Sequence, residues 1–586
     1  FYVKPGADPS KIQVQLNGAK GLKLSKDGEI IIQTDLGDLK LSKPVAWQEK
    51  DGKKLPVEVS YKLIDKNRYS FSVAKADPGL PVVIDPILQS TYLGGSGIDD
   101  INALAIYPKT GDIYVAGSTM SLDFPKTSGG AQSYYGGGGR DGFVARLNSD
   151  LTKIIQSTYL GGSGTDVVNT LAIHPKTGDV YVAGQTYSTD IPNTDGGVQR
   201  RHGGGDSDGF ISRLNSGLTQ IIQSTYLGGS GVDLADALAI HPKTGDVYVA
   251  ETTNSTYLPR TTGGAQERNR GYDVYIARLN PDLTQVVQST YLGGSGGDSA
   301  ETLAIHPKTG DIYVAGQTSS YNFPKIAYGA QVSYGGGDSD AFISRLNSDL
   351  TQIIQSTYFG GSGTDWCISL AIHPKTGDIY VAGYTNSTNL PNSTILPNIT
   401  GGAQESNRGH DDVYVARLNS DLTQIIQSTY LGGSGNDWCK DLAIHPKTGD
   451  VYVAGVTFST NFPTTTGVVQ GSCGDKAEEF CHDAFISRLN PDLTQIIQST
   501  YLGGDGEDSA EALAIHPKTG DIYAAGHTDS ADFPKTTGGA QASYGGSEDG
   551  FVARLTADLA ASSSSDKKTK QNPSNSKVRQ SKKKQQ

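Results

Sequence analysis

Long apolar runs are missing from this 586-residue chain, and so is any segment of helical period. The first absence leaves nothing able to span a bilayer as a helix, and the second leaves no helical domain to build. Cysteine is sparse, at four residues, so the fold does not depend on a dense disulfide framework. Only 19% of residues are charged and 36% are hydrophobic, which with 74 glycines reads as globular and loop-rich, not disordered. Methionine occurs once, at Met120, and position 1 is Phe, so the expected start of the chain lies further upstream, and a signal peptide is not open to judgement.

What the chain has in abundance is one segment, Ser-Thr-Tyr-Leu-Gly-Gly, varied once to Phe359. It starts at Ser90, Ser157, Ser224, Ser289, Ser356, Ser428 and Ser499, with spacings of 65 to 72 residues. A fixed period of this kind marks a unit that buries its apolar surface only by stacking on its copies. Each period reads as four short strands, here called A to D. In the second unit, strand A ends at His174 and a Pro175-Lys-Thr-Gly178 turn leads into strand B, Asp179 to Gly184. Gly178 supplies the positive backbone angle of a tight hairpin. A Gly-rich connection leads to strand C, Gly209 to Asn215, and a polar turn to strand D, Ile221 to Leu227.

Four antiparallel strands per unit suit a propeller blade, because radial repetition leaves only short protected edges. An open array would need polar capping repeats, and none is visible. Instead an extra D strand, Ile87 to Leu93, precedes the first A strand, while the last unit stops after its C strand at Phe551 to Leu555. The expected fold is therefore all-β: a seven-bladed β-propeller of four-stranded blades, closed by an N-terminal strand that completes the last blade and preceded by a small β domain. Three regions are expected. Residues 1–85 form the small β-rich domain, with strands such as Lys11 to Leu16 and turns at Lys26-Asp-Gly28 and Lys50-Asp-Gly52. Residues 86–560 form the propeller, and residues 561–586 a disordered Lys/Ser/Gln-rich tail.

The pattern Ser-Thr-Tyr-Leu-Gly-Gly-Ser-Gly-x-Asp, followed by Leu-Ala-Ile-His-Pro-Lys-Thr-Gly-Asp-Val-Tyr-Val-Ala-Gly, resembles the SBBP-type β-propeller repeat of bacterial and archaeal secreted or surface proteins. Residues 5–86 resemble the domain that commonly precedes such propellers, of which this chain holds part. The resemblance implies an extracellular or cell-surface scaffold or binding protein, and no set chemistry.

The repeated polar residues admit two readings. Seven Asp follow the Gly-Gly turn (Asp99, Asp166, Asp233, Asp298, Asp365, Asp437 and Asp508) and seven more open strand C (Asp141, Asp208, Asp273, Asp340, Asp412, Asp483 and Asp549). They cap backbone amides of the Gly-rich turns, or pairs of them bind calcium, the one cofactor the sequence suggests. The six histidines of the His-Pro-Lys-Thr-Gly turns serve the blade. Cys473 and Cys481 are expected to form a disulfide, a metal site with His482 being the alternative; Cys367 and Cys439 are expected to stay buried free thiols. Sequons at Asn254, Asn386, Asn392 and Asn398 mark exposed loops open to glycosylation.

A single asymmetric ligand is read where copies disagree. Three residues after the first Asp stand Asn102, Asn169, Asp236, Glu301, Ile368, Lys440 and Glu511, with Trp366 and Trp438 nearby. All of these but Ile368 form the candidate binding residues at the mouth of a central channel. The basic tail lacks interleaved aromatics and the net charge is −12, so nucleic acid is not an expected partner. The favoured reading is a structural and binding scaffold that holds a glycan, a surface protein or a neighbouring copy through its variable loop face. The alternative is a hydrolase or lyase acting on an extracellular polysaccharide through Asp236, Glu301 or Glu511.

Overall fold

The computed structural model describes residues 2–3, 5–16, 20–24, 30–34, 37–41, 44, 46–50, 53–80, 82–84, 87–392, 399–466, 468–474, 481–557 and 559. The chain divides into two compact units, the larger being Asp85–Ala560. Among the described residues no helix is long and apolar enough to cross a membrane.

The N-terminal unit has a six-stranded sheet ordered Tyr2–Val3, Val82–Ile84, Ala46–Lys50, Lys53–Leu63, Arg68–Ala74 and Val14–Gln15, with a separate three-stranded sheet, Gly21–Leu24, Ile30–Thr34 and Gly37–Leu41. Val3, Ile30, Ile32, Val59, Tyr69 and Phe71 are buried in its core. The strand expected over Lys11 to Leu16 shrinks to Val14–Gln15, because Pro9–Lys11 winds into a 3-10 turn. Pro9 has no N–H to give a ladder, and Asp8 accepts from both the Ser10 amide (3.0 Å) and the Ser10 hydroxyl (2.7 Å). The turns at Lys26-Asp-Gly28 and Asp51-Gly52 lie outside the described residues.

The larger unit is a seven-bladed β-propeller. Blade 1 comprises Asp99–Ile106 (A), Ile113–Thr119 (B), Asp141–Leu147 (C) and Ile154–Leu160 (D), hydrogen-bonded in that order and antiparallel, and five further blades repeat it. Blade 7 takes A, B and C from Asp508–Ile515, Ile522–Thr528 and Asp549–Leu555, and its fourth strand is Ile87–Leu93, with Tyr92 opposite Phe551. Each A strand packs against the A strands of both neighbouring blades, the first against the seventh, so the ring is closed.

Every strand B is buried along most of its length because it lies in the middle of a blade that is itself sandwiched between two others. Seams between blades carry a second, polar fastening. The C-strand arginine of each blade grips the aspartate just before its own strand B, and in most blades it also reaches an aspartate of the next: Arg213 holds Asp179 (2.7 Å) and Asp282 (2.7 Å), whereas Arg146 and Arg488 donate to the Ser216 and Ala557 carbonyls instead. At the closure Arg554 holds Asp521 (2.6 Å) and Asp150 of blade 1 (3.1 Å). On the A–B hairpin face, lysines hand on from blade to blade, Lys109 to the Lys176 carbonyl (2.6 Å) and finally Lys518 to the Lys109 carbonyl (3.4 Å). The turn histidines belong to this face: Nδ1 of His174 accepts from the Lys176 and Thr177 amides (3.3 and 3.1 Å).

Candidate ligand-binding face

The fourteen repeated aspartates sit at the D–A and B–C end of the blades, and their oxygens are aimed at the chain itself. Asp99 takes the Thr119 hydroxyl on Oδ1, and the Gly95 amide (2.7 Å) and Ser121 hydroxyl (2.7 Å) on Oδ2. The same three donors recur around Asp166, Asp233, Asp298, Asp365 and Asp437, and Asp508 accepts from Gly504 (2.8 Å) and Ser530 (2.8 Å). The seven A-strand carboxylates are thus enclosed by N–H and O–H donors of their own turns. These residues cap turns.

The strand-C aspartates accept backbone amides on Oδ2, as Asp549 does from Gly545 (2.7 Å). Their other oxygen faces the A-strand aspartate of the next blade across the first glycine of the Gly-Gly turn. A Cβ on Gly94 would stand 2.6 Å from both Asp549 Oδ1 and Asp99 Oδ2, so only glycine passes between them. Burial, with like charge adding to it, pushes Asp141, Asp273, Asp340 and Asp549 up to about 7.

The divergent series has a structural cause that periodicity could not reveal. Each of its members is the extra residue of a β-bulge in strand A: the register with strand B slips between Ile101 and Ala103, and at the same place in the other six blades. The bulge turns these side chains towards the next blade around the axis. Asn102 donates to the Val168 carbonyl (2.9 Å), Asn169 to Ala235 O (3.2 Å) and Asp236 Oδ1 (3.3 Å), and Lys440 pairs with Glu511 (3.1 Å). Opposite six bulges strand B has glycine, because a Cβ there would lie 1.6–2.0 Å from a carbonyl of strand A. Blade 3 alone places Glu251 at that position, fully buried, with neither carboxyl oxygen hydrogen-bonded.

Asp236 and Glu301 come together from blades 3 and 4. Both side chains are half-buried, and the protein around them governs their charge. Burial drives Asp236 well above the carboxylate range, Glu301 adding repulsion and Thr252 easing it. Glu301 is pushed up to about 7 by burial, against the pull of the Ser299 hydroxyl and Lys440. Glu511 does not join them; it is held by Lys440 and by the Ser509 hydroxyl (2.6 Å).

Beside this pair a crevice of about 420 Å³ opens between blades 3, 4 and 5, walled by Trp366 and Tyr272. From Trp366 a row of half-exposed rings continues over blades 5 and 6: Tyr384 at 5.3 Å, Trp438 a further 6.1 Å, Phe458 at 5.0 Å and His482 at 4.4 Å between centroids. Trp438 Nε1 donates to Asp411 (3.2 Å). The two tryptophans therefore belong to one aromatic row, to which Tyr384 and Phe458 contribute from the ends of strand B. Pairing position two of strand A with the penultimate residue of strand B would have found Tyr384 opposite Trp366, but it gives Val456 opposite Trp438, and Phe458 stands one residue past the end of that strand.

A second cluster lies at the ring closure, where Asp100, His527 and Glu548 bring ligand atoms within 4.8 Å of one another. Arg140 already pairs with Asp100, and burial together with Asp100 raises Glu548.

Cys473 and Cys481 are joined in a disulfide, Cα to Cα 5.9 Å, which leaves no thiolate for the metal alternative with His482. Cys367 and Cys439 are buried free thiols. Asn254 and Asn386 are exposed, their Oδ1 atoms accepting the Val232 and Thr364 amides (both 2.7 Å). Asn392 departs from the expectation for a sequon. It is buried, its amide donating to Thr400 O (2.8 Å) while its oxygen accepts from Gln427 (2.9 Å) and Ser428 (3.1 Å), so Nδ2 is not presented to a modifying enzyme. Asn398 lies outside the described residues.

Residues 1–87 match the family described as "Domain of unknown function (DUF7948)", and residues 356–391 match SBBP, described as "Beta-propeller repeat". No curated protein matches the chain. The matched repeat runs from strand D of one blade through strands A and B of the next, the same offset by which Ile87–Leu93 closes the ring. Seven copies of that unit stand in the closed seven-bladed ring, so the likeness to the SBBP β-propeller repeat, matched at residues 356–391, recurs in every blade.

Proposed function

We propose that this protein is an extracellular or cell-surface binding scaffold that holds its partner on the loop face of the propeller. The observation that carries the reading is the division of labour between repeated and divergent residues. The repeated Asp, Arg, Lys and His side chains are spent on turns and seams, while the exposed rings collect among the divergent B–C connections: Tyr134, Tyr257, Tyr321 and Tyr328 are 77–90% exposed. Variable loops on a rigid ring are where recognition is built at least cost to the fold. The Cys473–Cys481 disulfide supports an oxidising compartment.

The partners in scope are a glycan, a surface protein or a second copy of the chain; the acidic charge weighs against nucleic acid. The hydrolase or lyase alternative calls for two carboxyls flanking one bond, and Glu511, held by Lys440 and Ser509, stands apart from the Asp236–Glu301 pair. The test is a binding screen of the whole chain against glycans, surface proteins and itself. Tyr257→Ser and Tyr321→Ser on the loop face are compared with Lys308→Ala on the opposite face. Loss confined to the loop-face variants is expected, and loss confined to Lys308→Ala overturns the assignment.

A further inference from the structure

We infer that the crevice between blades 3, 4 and 5 seats one unit of a neutral saccharide, whose chain continues along the row Trp366, Tyr384, Trp438 and Phe458. The inference rests on the loop-face reading and narrows it to one ligand class and one edge of that face.

The volume comes first. About 420 Å³ lies within the roughly 300–1,000 Å³ of small-ligand sites and accommodates a sugar ring while excluding a folded partner. Chemistry of the lining follows. Its polar lining is of hydroxyl and amide residues: the Ser299 hydroxyl is buried, Thr252 is held by Asp236 and the Ala300 amide and Ser319 by Gly297, which leaves Gln317, Ser339 and Thr364 to donate to and accept from a ligand. No lysine or arginine lines the crevice, and Asp298 and Asp338 do, so a phosphate, sulfate or uronate would meet acidic walls with nothing to neutralise it. A metal cation is equally ill served, since Asp298 is taken by Thr318, Ser320 and the Gly294 amide. What remains is a neutral ligand rich in hydroxyls.

The wall supplies the other half of sugar chemistry. A pyranose has polar edges and apolar C–H faces, and a flat indole covers such a face at low entropic cost. Trp366 presents that surface in the crevice, braced from behind by Tyr384 at 5.3 Å. The ring-to-ring steps of 5.3, 6.1 and 5.0 Å along the row place aromatic surface continuously beyond the crevice, which suits a polymer better than a lone monosaccharide. The row is specific to blades 5 and 6, for the position of Trp366 is held by Asp100, Val167, Leu234, Ser299 and Ser509 in the other blades.

Behind the crevice wall, Thr252 donates to Asp236 (3.2 Å), and Ser299 stands beside Glu301. The Asp236 carboxyl fixes the Thr252 hydroxyl, so that part of the wall is set before a ligand arrives.

The test uses the full chain. Immobilised neutral polysaccharides (β-glucan, mannan, xylan), acidic ones (alginate, heparin) and surface proteins are probed for retention, and soluble neutral oligosaccharides are titrated by calorimetry and tryptophan fluorescence. Neutral saccharides are expected to bind and to perturb the emission. Trp366→Ala should weaken binding at least roughly tenfold, as for an aromatic anchor, while Trp366→Phe retains part of it and Tyr134→Ser, on blade 1, retains all. Circular dichroism and unfolding midpoints confirm that each variant is folded. Retention of acidic polysaccharides alone, or neutral binding unchanged in Trp366→Ala, overturns the inference. Binding only to a protein, lost in Tyr257→Ser and Tyr321→Ser, overturns it while leaving the loop-face reading standing; no binding in any arm defeats both.

Discussion

Replacing Glu251 by Gln should make the propeller more resistant to rising pH. The carboxyl is 0% exposed, neither oxygen is hydrogen-bonded, and burial drives it well above its ordinary 4.5, with Asp233, Asp208 and Asp236 adding like charge. A raised acid binds a proton in the folded state that the unfolded chain has already released. Stability therefore falls with pH from about 4.5 until the folded carboxyl titrates, at about 1.4 kcal/mol per pH unit. Glutamine keeps the shape and cannot titrate, and whatever fixed cost its amide carries is independent of pH. For a unit the size of Asp85–Ala560, an unfolding entropy of about 2.1 cal/mol/K per residue converts this to roughly 1–1.5 °C per pH unit. The assay is urea and thermal unfolding of both proteins at pH 4.5, 5.5 and 6.5. Curves that stay parallel across this range would refute the reasoning.

Geometry also says why Glu251 is tolerated. In blades 1 and 2 a branched strand-A residue fills the space over a strand-C glycine of the preceding blade: a Cβ on Gly550 or Gly142 would meet Ile101 or Val168 at 2.8 and 2.9 Å. Blade 3 has the small Ala235 over Gly209, and Glu251 occupies the gap, 2.4 Å from a Cβ on Gly209. Blade 4 solves the same problem with Ala300, Gly316 and Val274, all in the apolar seam. Glu251→Gly alone should open a void and destabilise. Combined with Gly209→Val it should exceed the wild type in stability at pH 7.

Asp166→Ala removes the acceptor of the Thr186, Gly162 and Ser188 donors and should cost about 3–5 kcal/mol in urea unfolding, while calcium or a chelator leaves the wild-type midpoint unchanged. Asp141→Asn should gain several kcal/mol on wild type between pH 4 and 7, since burial and Asp166 hold the folded carboxyl up at about 7; a pH-independent difference in the same titration would refute this. Tyr92→Ala should cost about 3–5 kcal/mol, as should the equivalent Tyr159→Ala, because the Tyr92 hydroxyl donates to Ser530 O (2.8 Å) and its ring is fully buried; a much smaller loss in calorimetry would contradict closure by the first strand. Cys473→Ser with Cys481→Ser should lose about 2–3 kcal/mol, the loop entropy for a separation of 8, seen as the same shift that a reductant produces in the wild type.

Much of the ring was legible in the chain because a propeller writes its architecture in the period. Strand lengths, the Gly-Gly turns and the displaced Ile87–Leu93 segment each follow from local pattern, and a blade can only stack on a blade. The N-terminal unit was less legible: Lys11 to Leu16 alternates like a strand, yet Pro9 and Asp8 divert its start into a turn. The site was legible only in part. Divergence singled out Asn102, Asn169, Asp236, Glu301, Lys440 and Glu511, but the bulge that gathers them is a register slip with no sequence signature apart from the glycine opposite it. The same pattern that marked Asn392 as a sequon carried no hint that Gln427 and Ser428 would enclose it.

Sequence alone determined the number of blades, the seam through which the ring closes and the turn residues that hold each hairpin, because all of these are set by near neighbours repeated at one period. Tertiary structure alone decided which oxygens of the aspartates were already spent, which of Asp236, Glu301 and Glu511 meet, and that Trp366, Tyr384, Trp438 and Phe458 form one row beside a crevice. Those are contacts between residues tens of positions apart on different blades, and their distances depend on ring curvature and bulge geometry, which no local pattern encodes.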